Sequence, residues 1–156
     1  MSRATLEAAI PAGATIVLDS STVLAYLDGG ERVSPVAAVV IDDFVATGRN
    51  TGVVSAVTVT EALVRPMRAD SVSAVALVEA FLRHFANLRV EPVSFAVARE
   101  AARIRATTAL RTPDAMILAT SVVASAASVV TNDGRWATAM GTAGLPATLC
   151  HLDAHL

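Results

Sequence analysis

Short apolar runs alternate along this chain with longer segments whose apolar residues recur at helical spacing. The short runs are rich in Val and Ile, which is typical of buried parallel strands. They predict five strands, at 15–18, 52–57, 88–93, 127–131 and 147–150. The longer segments predict seven helices, at 21–27, 35–47, 58–67, 71–86, 95–108, 113–125 and 135–140. Strands and helices that alternate in this way indicate an α/β fold built on a parallel sheet.

The helix predicted at 113–125 has the clearest start signal. Thr112 is a suitable N-cap, and Pro113 suits the first helical position because it has no N–H to leave unpaired. Asp114 then falls at the second position of the helix. An acid there is favourable beside the positive end of the helix dipole, whether or not it has a function.

The length of 156 residues fits one domain with a full hydrophobic core. We expect an N-terminal extension over 1–14 and a single domain over 15–156. Cys150 is the only cysteine, so no disulfide can form within the chain and a reducing, cytoplasmic location is expected. The uncharged run 115–132 contains five Ser or Thr residues, so it predicts a buried helix and strand and no membrane span.

Composition adds an expectation about partners. Apolar residues make up 54% of the chain and charged residues only 17%, against about 25% charged in an average soluble domain. We therefore expect a partner to cover part of the surface. The net charge of −2 argues against nucleic-acid binding through bulk positive charge, so such a role requires a local patch or specific chemistry.

Four acidic residues occupy related positions in the predicted fold. Asp19 follows the first strand directly, and Asp133 follows the fourth strand by two residues. Glu61 and Asp114 lie in the first turns of two helices. Ligands of open parallel sheets bind beyond the carboxyl ends of the strands, so we expect these carboxylates to converge there. Clustered carboxylates need a cation, and a site with only oxygen ligands favours Mg²⁺, with Mn²⁺ as a substitute.

Each acid also has a purely structural interpretation. Asp19 can cap the following helix, and Asp133 is an ordinary turn residue before a glycine. Glu61 can form an ion pair with Arg65 one helical turn away. Only the conjunction of the four acids favours a metal site over these separate explanations.

Four motifs, in their order along the chain, resemble the PIN-domain ribonucleases, and most closely the VapC-type toxins of type II toxin–antitoxin pairs. They are LDSSTVLAYL, SAVTVTEAL, LRTPDAMILATSVVASA and VVTNDGRW. The resemblance covers about 15–150 and implies a single-domain PIN-like fold, with a central parallel sheet flanked by helices on both faces. It also implies a homodimer, and a cognate antitoxin whose segment fills an apolar groove and blocks the site.

The four acidic positions that bind a divalent metal in that family fall by motif on Asp19, Glu61, Asp114 and Asp133. Ser21 and Thr131 match polar positions that support the acidic cluster. The resulting hypothesis is Mg²⁺-dependent endonucleolysis of RNA, with Asp19 and Asp114 as principal ligands and a metal-activated water as nucleophile. Four arginines near the predicted sheet edge are candidates for contacts with RNA phosphates: Arg65, Arg68, Arg111 and Arg135.

Two other functions compete with this hypothesis. One is a non-catalytic PIN-like interaction module whose acids are structural caps and turns. The other is a phosphotransferase of the haloacid-dehalogenase type, which also has an Asp at the end of an apolar strand. Its nucleophilic Asp needs a second Asp two residues later, and Ser21 occupies that position here.

Overall fold

The computed structural model describes residues 3–156, and the order of its elements follows the predicted alternation. One sheet contains five strands: β1 (Thr15–Leu18), β2 (Thr51–Ser55), β3 (Leu88–Glu91), β4 (Ser128–Thr131) and β5 (Thr148–His151). Within the described residues there are eight α-helices: α1 (Arg3–Ala9), α2 (Ser20–Asp28), α3 (Ser34–Ala38), α4 (Ala56–Arg68), α5 (Val72–His84), α6 (Phe95–Thr107), α7 (Thr112–Val123) and α8 (Trp136–Thr142). A π-helical segment (Val39–Ala46) continues α3, and a short 3₁₀ helix (Leu152–His155) follows β5.

All neighbouring strands of the sheet pair in parallel, in the order β3-β2-β1-β4-β5. The chain builds outward from β1 to β3 and then crosses to the other side of β1 to add β4 and β5. The strand order therefore reverses between β1 and β4, where Val17 lies opposite Val129. Open α/β sheets hold their ligands beyond the carboxyl ends of the strands at such a reversal.

Helices cover both faces of the sheet because side chains alternate between the faces along each strand. Ile16 and Leu18 of β1 pack into a core formed with α1 to α5 and the π-helical segment. Val17, which lies between them in β1, packs into a second core with α6, α7 and α8. The predicted α/β fold, with a central parallel sheet and helices on both faces, is confirmed.

The segment before β1 forms helix α1 and packs on the first core. Leu6 and Ile10 are fully buried there. The Thr5 hydroxyl lies 2.9 Å from Nδ1 of His155, which joins this segment to the last helix of the described chain. Leu6 and Ile10 of the predicted extension 1–14 thus contribute to the core, whereas its residues 1 and 2 lie outside the described residues. The division of the chain at 14 and 15 stays a prediction.

Two strands, β2 and β3, end earlier in the structure than the sequence predicts, each for a local reason. β2 ends at Ser55 because the Ser55 hydroxyl caps α4 by accepting a hydrogen bond from the amide of Val57 at 3.2 Å. β3 ends at Glu91 because Pro92 has no N–H to donate to a neighbouring strand. β3 is also an edge strand and is partly exposed along its whole length, so its prediction as a buried strand is wrong.

Helix α7 begins one residue earlier than the sequence predicts. Arg111 is its N-cap, and Thr112 is the first helical residue, so the prediction of Thr112 as N-cap is wrong. Asp114 is consequently the third helical residue, which still lies in the first turn. None of the helices in residues 3–156 combines the length and the apolar content that a bilayer span requires.

Candidate active site

The four predicted acids line one cavity at the carboxyl ends of β1 and β4. This cavity, which we name the acidic pocket, has a volume of about 400 Å³. Its acids come from four places in the chain: the residue after β1, helix α4, the first turn of α7 and the turn after β4. They are Asp19, Glu61, Asp114 and Asp133. The structure therefore brings together the acids that the strand ends and the motifs single out.

Asp19 is 5% exposed, and three donors hold its carboxylate. Oδ1 accepts a hydrogen bond from the Ser20 amide at 2.7 Å. Oδ2 accepts hydrogen bonds from the hydroxyls of Ser21 and Thr131, both at 2.7 Å. Burial raises the pKa of Asp19 above its usual value, and these hydrogen bonds offset part of the rise. The helix cap is present, and the two hydroxyl contacts go beyond what a cap requires.

Ser21 and Thr131 connect Asp19 to the turn that carries Asp133. The Ser21 hydroxyl accepts a hydrogen bond from the Asn132 amide at 2.9 Å, and the Thr131 hydroxyl accepts one from the Asp133 amide at 3.0 Å. Each hydroxyl therefore accepts from the turn after β4 and donates to Asp19, which fixes its orientation. The same two side chains position both an acid after β1 and an acid after β4.

Asp114 is 8% exposed and is bound by an arginine at the mouth of the pocket. Arg111 Nε donates to Oδ2 of Asp114 at 3.0 Å, and Arg111 Nη2 donates to Oδ1 at 3.4 Å. The Arg111 side chain is 70% exposed, whereas that of Asp114 is 12% exposed. A largely solvated guanidinium thus neutralises a largely buried carboxylate.

Asp133 is bound in a similar way by Arg135. Arg135 Nε donates to Oδ1 of Asp133 at 2.9 Å and to Oδ2 at 3.1 Å. The Arg135 guanidinium lowers the pKa of Asp133 below its ordinary value. The Arg135 amide also donates to Oδ1 at 3.0 Å. Asp133 therefore does have the structural role of a turn residue, in addition to its place in the pocket.

Glu61 is half-buried and forms no hydrogen bond or ion pair with the residues of the described chain. The ion pair between Glu61 and Arg65, which is the structural interpretation of Glu61, does not form in the described chain. Arg65 and Arg68 do not line the acidic pocket, and Arg68 is exposed in the last turn of α4. Of the four arginines considered for RNA contacts, Arg111 lines the pocket and Arg135 is bound to its Asp133.

The atoms that line the acidic pocket suit a hard divalent cation. They include carboxylate and hydroxyl oxygens, and no described lining residue is a Cys or His. As they stand, no three His, Cys, Asp or Glu side chains in residues 3–156 are grouped closely enough to hold a metal. Arg111 and Arg135 occupy Asp114 and Asp133 instead. The oxygen ligands of the pocket therefore fit Mg²⁺ in kind, and a cation would have to displace these arginines from Asp114 and Asp133.

Two features of the site have no clear signal in the sequence. Trp136 lines the acidic pocket and is 1% exposed, and its indole Nε1 has no partner among the described residues. A second cavity of about 450 Å³ shares Arg111 and Asp114 with the acidic pocket. Thr138 and Thr142 of α8 form part of its wall. They lie one helical turn apart, and this spacing is the only indication in the sequence that they share a face of the helix.

Known proteins share this architecture. The FitAcB structure from Neisseria gonorrhoeae has a TM-score of 0.67 at 19% identity and covers 90% of this chain and 99% of its own. VapC20 from Mycobacterium tuberculosis, a sarcin–ricin loop cleaving toxin, has a TM-score of 0.63 at 19% identity, covering 80% of this chain and 94% of its own. A toxin–antitoxin complex from Klebsiella pneumoniae has a TM-score of 0.59 at 17% identity, covering 86% of this chain and 96% of that one.

At these identities the solved structures show the fold alone. No curated protein matches the sequence significantly. Residues 16–140 match the family model of the PIN domain, and this range covers most of the chain and includes all four acids of the pocket. The resemblance predicted from the motifs is confirmed at the level of family and fold. This chain belongs to the PIN-domain family.

Proposed function

We propose that this chain is a metal-dependent endoribonuclease that acts as the toxin of a toxin–antitoxin pair. The meeting of four carboxylates from four separate elements in one pocket, where the strand order reverses, carries the proposal. Membership of the PIN-domain family and the similarity in fold to VapC20, a toxin that cleaves the sarcin–ricin loop, support it. Independent helix caps and turn residues would have no reason to converge in this way.

Asp19 and Asp114 are the principal metal ligands in this proposal, and Glu61 and Asp133 complete the cluster directly or through water. When bound, Mg²⁺ or Mn²⁺ lowers the pKa of a water and offsets the negative charge that develops on the phosphodiester. The chain itself holds acceptor oxygens ready at the end of β1. No side chain has to act as a nucleophile.

The remaining polar residues position these groups. The hydroxyls of Ser21 and Thr131 orient the Asp19 carboxylate and stabilise its ionised form. Arg111 and Arg135 have exposed guanidinium groups next to the acids, and we assign them contacts with the phosphates of the RNA substrate. Both arginines must exchange a carboxylate for a phosphate when RNA and metal bind.

RNA cleavage in the presence of Mg²⁺ or Mn²⁺ tests the proposal. The wild-type chain is expected to cut structured RNA, and Asp19→Asn and Asp114→Asn are each expected to lower the rate by about 100-fold or more. Asp42→Asn is a matched control, because Asp42 is exposed outside the pocket and an amide still accepts the hydrogen bond from Tyr26. Cleavage that survives both pocket substitutions, or excess chelator, would leave the non-catalytic interaction module as the better explanation.

A cognate antitoxin and a homodimer are part of the same proposal. Large apolar side chains are exposed on and near α5: Met67 is 52% exposed, Val72 84% and Leu77 71%. They agree with the low charge content, which indicates a covered surface. Co-expression with the adjacent reading frame is expected to yield a complex that no longer cleaves RNA. An adjacent product that neither binds the chain nor inhibits it would contradict the toxin assignment.

A further inference from the structure

The cavity next to the acidic pocket, which we name the threonine cavity, lies between α8 and the loop that precedes α7. Its volume of about 450 Å³ falls within the range of small-molecule sites, about 300–1,000 Å³. Arg111 and Asp114 line both cavities, so the two cavities share a wall. A ligand that extends from the acidic pocket past Arg111 enters the threonine cavity.

The hydroxyls of this cavity differ in whether they already have a partner. Thr107 and Thr108 both donate to the Ile104 carbonyl, at 3.2 and 2.8 Å, so they satisfy the end of α6. The hydroxyls of Thr138 and Thr142 have no hydrogen-bond partner within residues 3–156. These two residues lie one turn apart on α8 and therefore on one face of the helix. They leave two donor and acceptor groups available to a ligand in the cavity.

Two guanidinium groups stand where the two cavities meet. The side chains of Arg111 and Arg135 are 70% and 75% exposed, and each is bound to one acid of the acidic pocket. Arg111 donates Nε and Nη2 to Asp114, and these donors become available to a phosphate when the carboxylate is released. A phosphate held by these arginines lies beside the acidic pocket and beside the threonine cavity at once.

The remaining wall of the threonine cavity is apolar. It includes Leu110, which is half-buried, and Ala139 of α8. An apolar wall accepts the face of a base, free hydroxyls accept a sugar, and guanidinium groups accept phosphate. These three kinds of group occur together in one ligand class, the nucleotides.

We propose that the threonine cavity binds the ribonucleotide next to the phosphate that is cleaved. Its base packs against Leu110, its 2′-hydroxyl pairs with the hydroxyls of Thr138 and Thr142, and the adjoining phosphate binds Arg111 and Arg135. This assignment rests on the proposed nuclease function and adds the direction in which the RNA strand leaves the acidic pocket, toward α8. It also gives the site a means to distinguish RNA from DNA, because only a ribose carries the 2′-hydroxyl.

The test compares two double variants that each replace two exposed threonines by valine. Thr138→Val/Thr142→Val removes the free hydroxyls of the cavity at nearly constant side-chain size. Thr51→Val/Thr60→Val is the matched control, since both residues are exposed and lie outside the two cavities. Melting temperatures equal to that of the wild type confirm that both variants are folded. Thr138→Phe, which fills the cavity instead of removing a hydroxyl, is the independent second variant.

Each change is combined with Asp19→Asn so that the RNA stays intact. The affinity for a short fluorescein-labelled single-stranded RNA of mixed sequence is then measured by fluorescence anisotropy. The cavity variant is expected to weaken RNA binding by about 5-fold, and the control variant by less than about 2-fold. DNA of the same sequence is expected to lose less than about 2-fold with either variant. In the cleaving background, the cavity variant is expected to raise the KM for RNA by a similar factor.

The outcomes separate this assignment from the proposed function. If the wild-type chain cleaves RNA but the cavity variants keep its affinity and KM, the threonine cavity is no subsite and the nuclease proposal remains. Equal losses for RNA and DNA would overturn the pairing with ribose. A loss of antitoxin binding with unchanged RNA binding would make the cavity a protein-docking site. If no chain binds or cleaves RNA, both proposals fail.

Discussion

At the scale of the residue, Asp19 has to meet two requirements that oppose each other. It is buried at the end of β1, and in the proposed mechanism it must be ionised to bind a cation. Burial raises its pKa, because a charged carboxylate loses solvation in the interior. Three hydrogen-bond donors offset part of this cost. The ionised Asp19 carboxylate is therefore unfavourable in the metal-free protein, and a bound cation would stabilise it.

This cost predicts a pH dependence of the metal-free protein. The folded-state pKa of Asp19 is raised, so its contribution to stability is fully present below the unfolded pKa and is lost as the pH rises through the folded pKa. Wild-type protein should therefore lose stability relative to Asp19→Asn as the pH rises from about 4 toward neutrality.

Urea unfolding of both chains in chelator, at a series of pH values, measures this difference. Any misfit of the amide in Asp19→Asn is independent of pH and cancels in the comparison. A stability difference that stays constant over the whole pH range would contradict the raised pKa.

Arg111 provides a second prediction at this scale, because its guanidinium is bound to Asp114, a proposed metal ligand. Arg111→Gln should tighten Mn²⁺ binding by about 3-fold, since an exposed ion pair contributes little. Isothermal titration calorimetry measures the affinity. Arg65→Gln is the control, because Arg65 lies outside the acidic pocket and has no ion pair within residues 3–156. Equal or weaker Mn²⁺ binding by Arg111→Gln would show that Arg111 and Mn²⁺ do not compete for Asp114.

At the scale of the element, the sequence predicts what local signals determine. β1 matches its predicted range of 15–18 because its apolar run is bounded on both sides. The sequence predicts ordinary helix over 35–47 and does not predict the π-helical segment, because eight apolar-rich residues do not reveal a change in hydrogen-bond spacing. The acids of the site follow from strand ends and helix starts. The ion pairs of Arg111 and Arg135 do not, because they depend on side-chain conformations that no local pattern encodes.

The composition of the chain gives little indication that helix α1 contributes to the core. Leu6 is fully buried in the first core, so Leu6→Ala should lower the free energy of unfolding by about 3 kcal/mol. Val72→Ala on α5 is the matched control; Val72 is 84% exposed, and its truncation should change stability by less than about 0.5 kcal/mol. Denaturant unfolding compares the two. Similar small effects of both substitutions would show that α1 is not part of the core.

At the scale of the molecule, the order of the strands decides where the site lies. Only the crossover between β3 and β4 brings the ends of β1 and β4 together, and with them Asp19 and Asp133. Sequence alternation predicts the sheet but not this pairing. The threonine cavity depends on the same long-range packing, because it forms where α8 meets the loop before α7. Contacts between segments so distant in the chain produce no recognisable pattern in the sequence of either segment.

The overall charge makes a prediction about RNA binding. With a net charge of −2, electrostatic attraction to RNA must come from the few arginines at the site. If Arg111 and Arg135 each contact one phosphate, a plot of log Kd against log salt concentration should have a slope of about 1.4. Each phosphate of a single strand contributes about 0.7 to this slope. Arg135→Gln should reduce the slope by about 0.7, and Arg68→Gln should leave it unchanged. A much steeper wild-type slope would reveal a more extended basic surface.

The central claim is that acids from separate elements share one divalent cation, and thermal unfolding during a Mn²⁺ titration tests it most directly. A ligand that binds only the folded state raises the melting temperature with concentration. The wild-type chain and the Asp42→Asn control should show this rise, and Asp19→Asn and Asp114→Asn should lose most of it. A wild-type melting temperature that does not respond to Mn²⁺, or pocket variants that respond as strongly as the wild type, would contradict the claim.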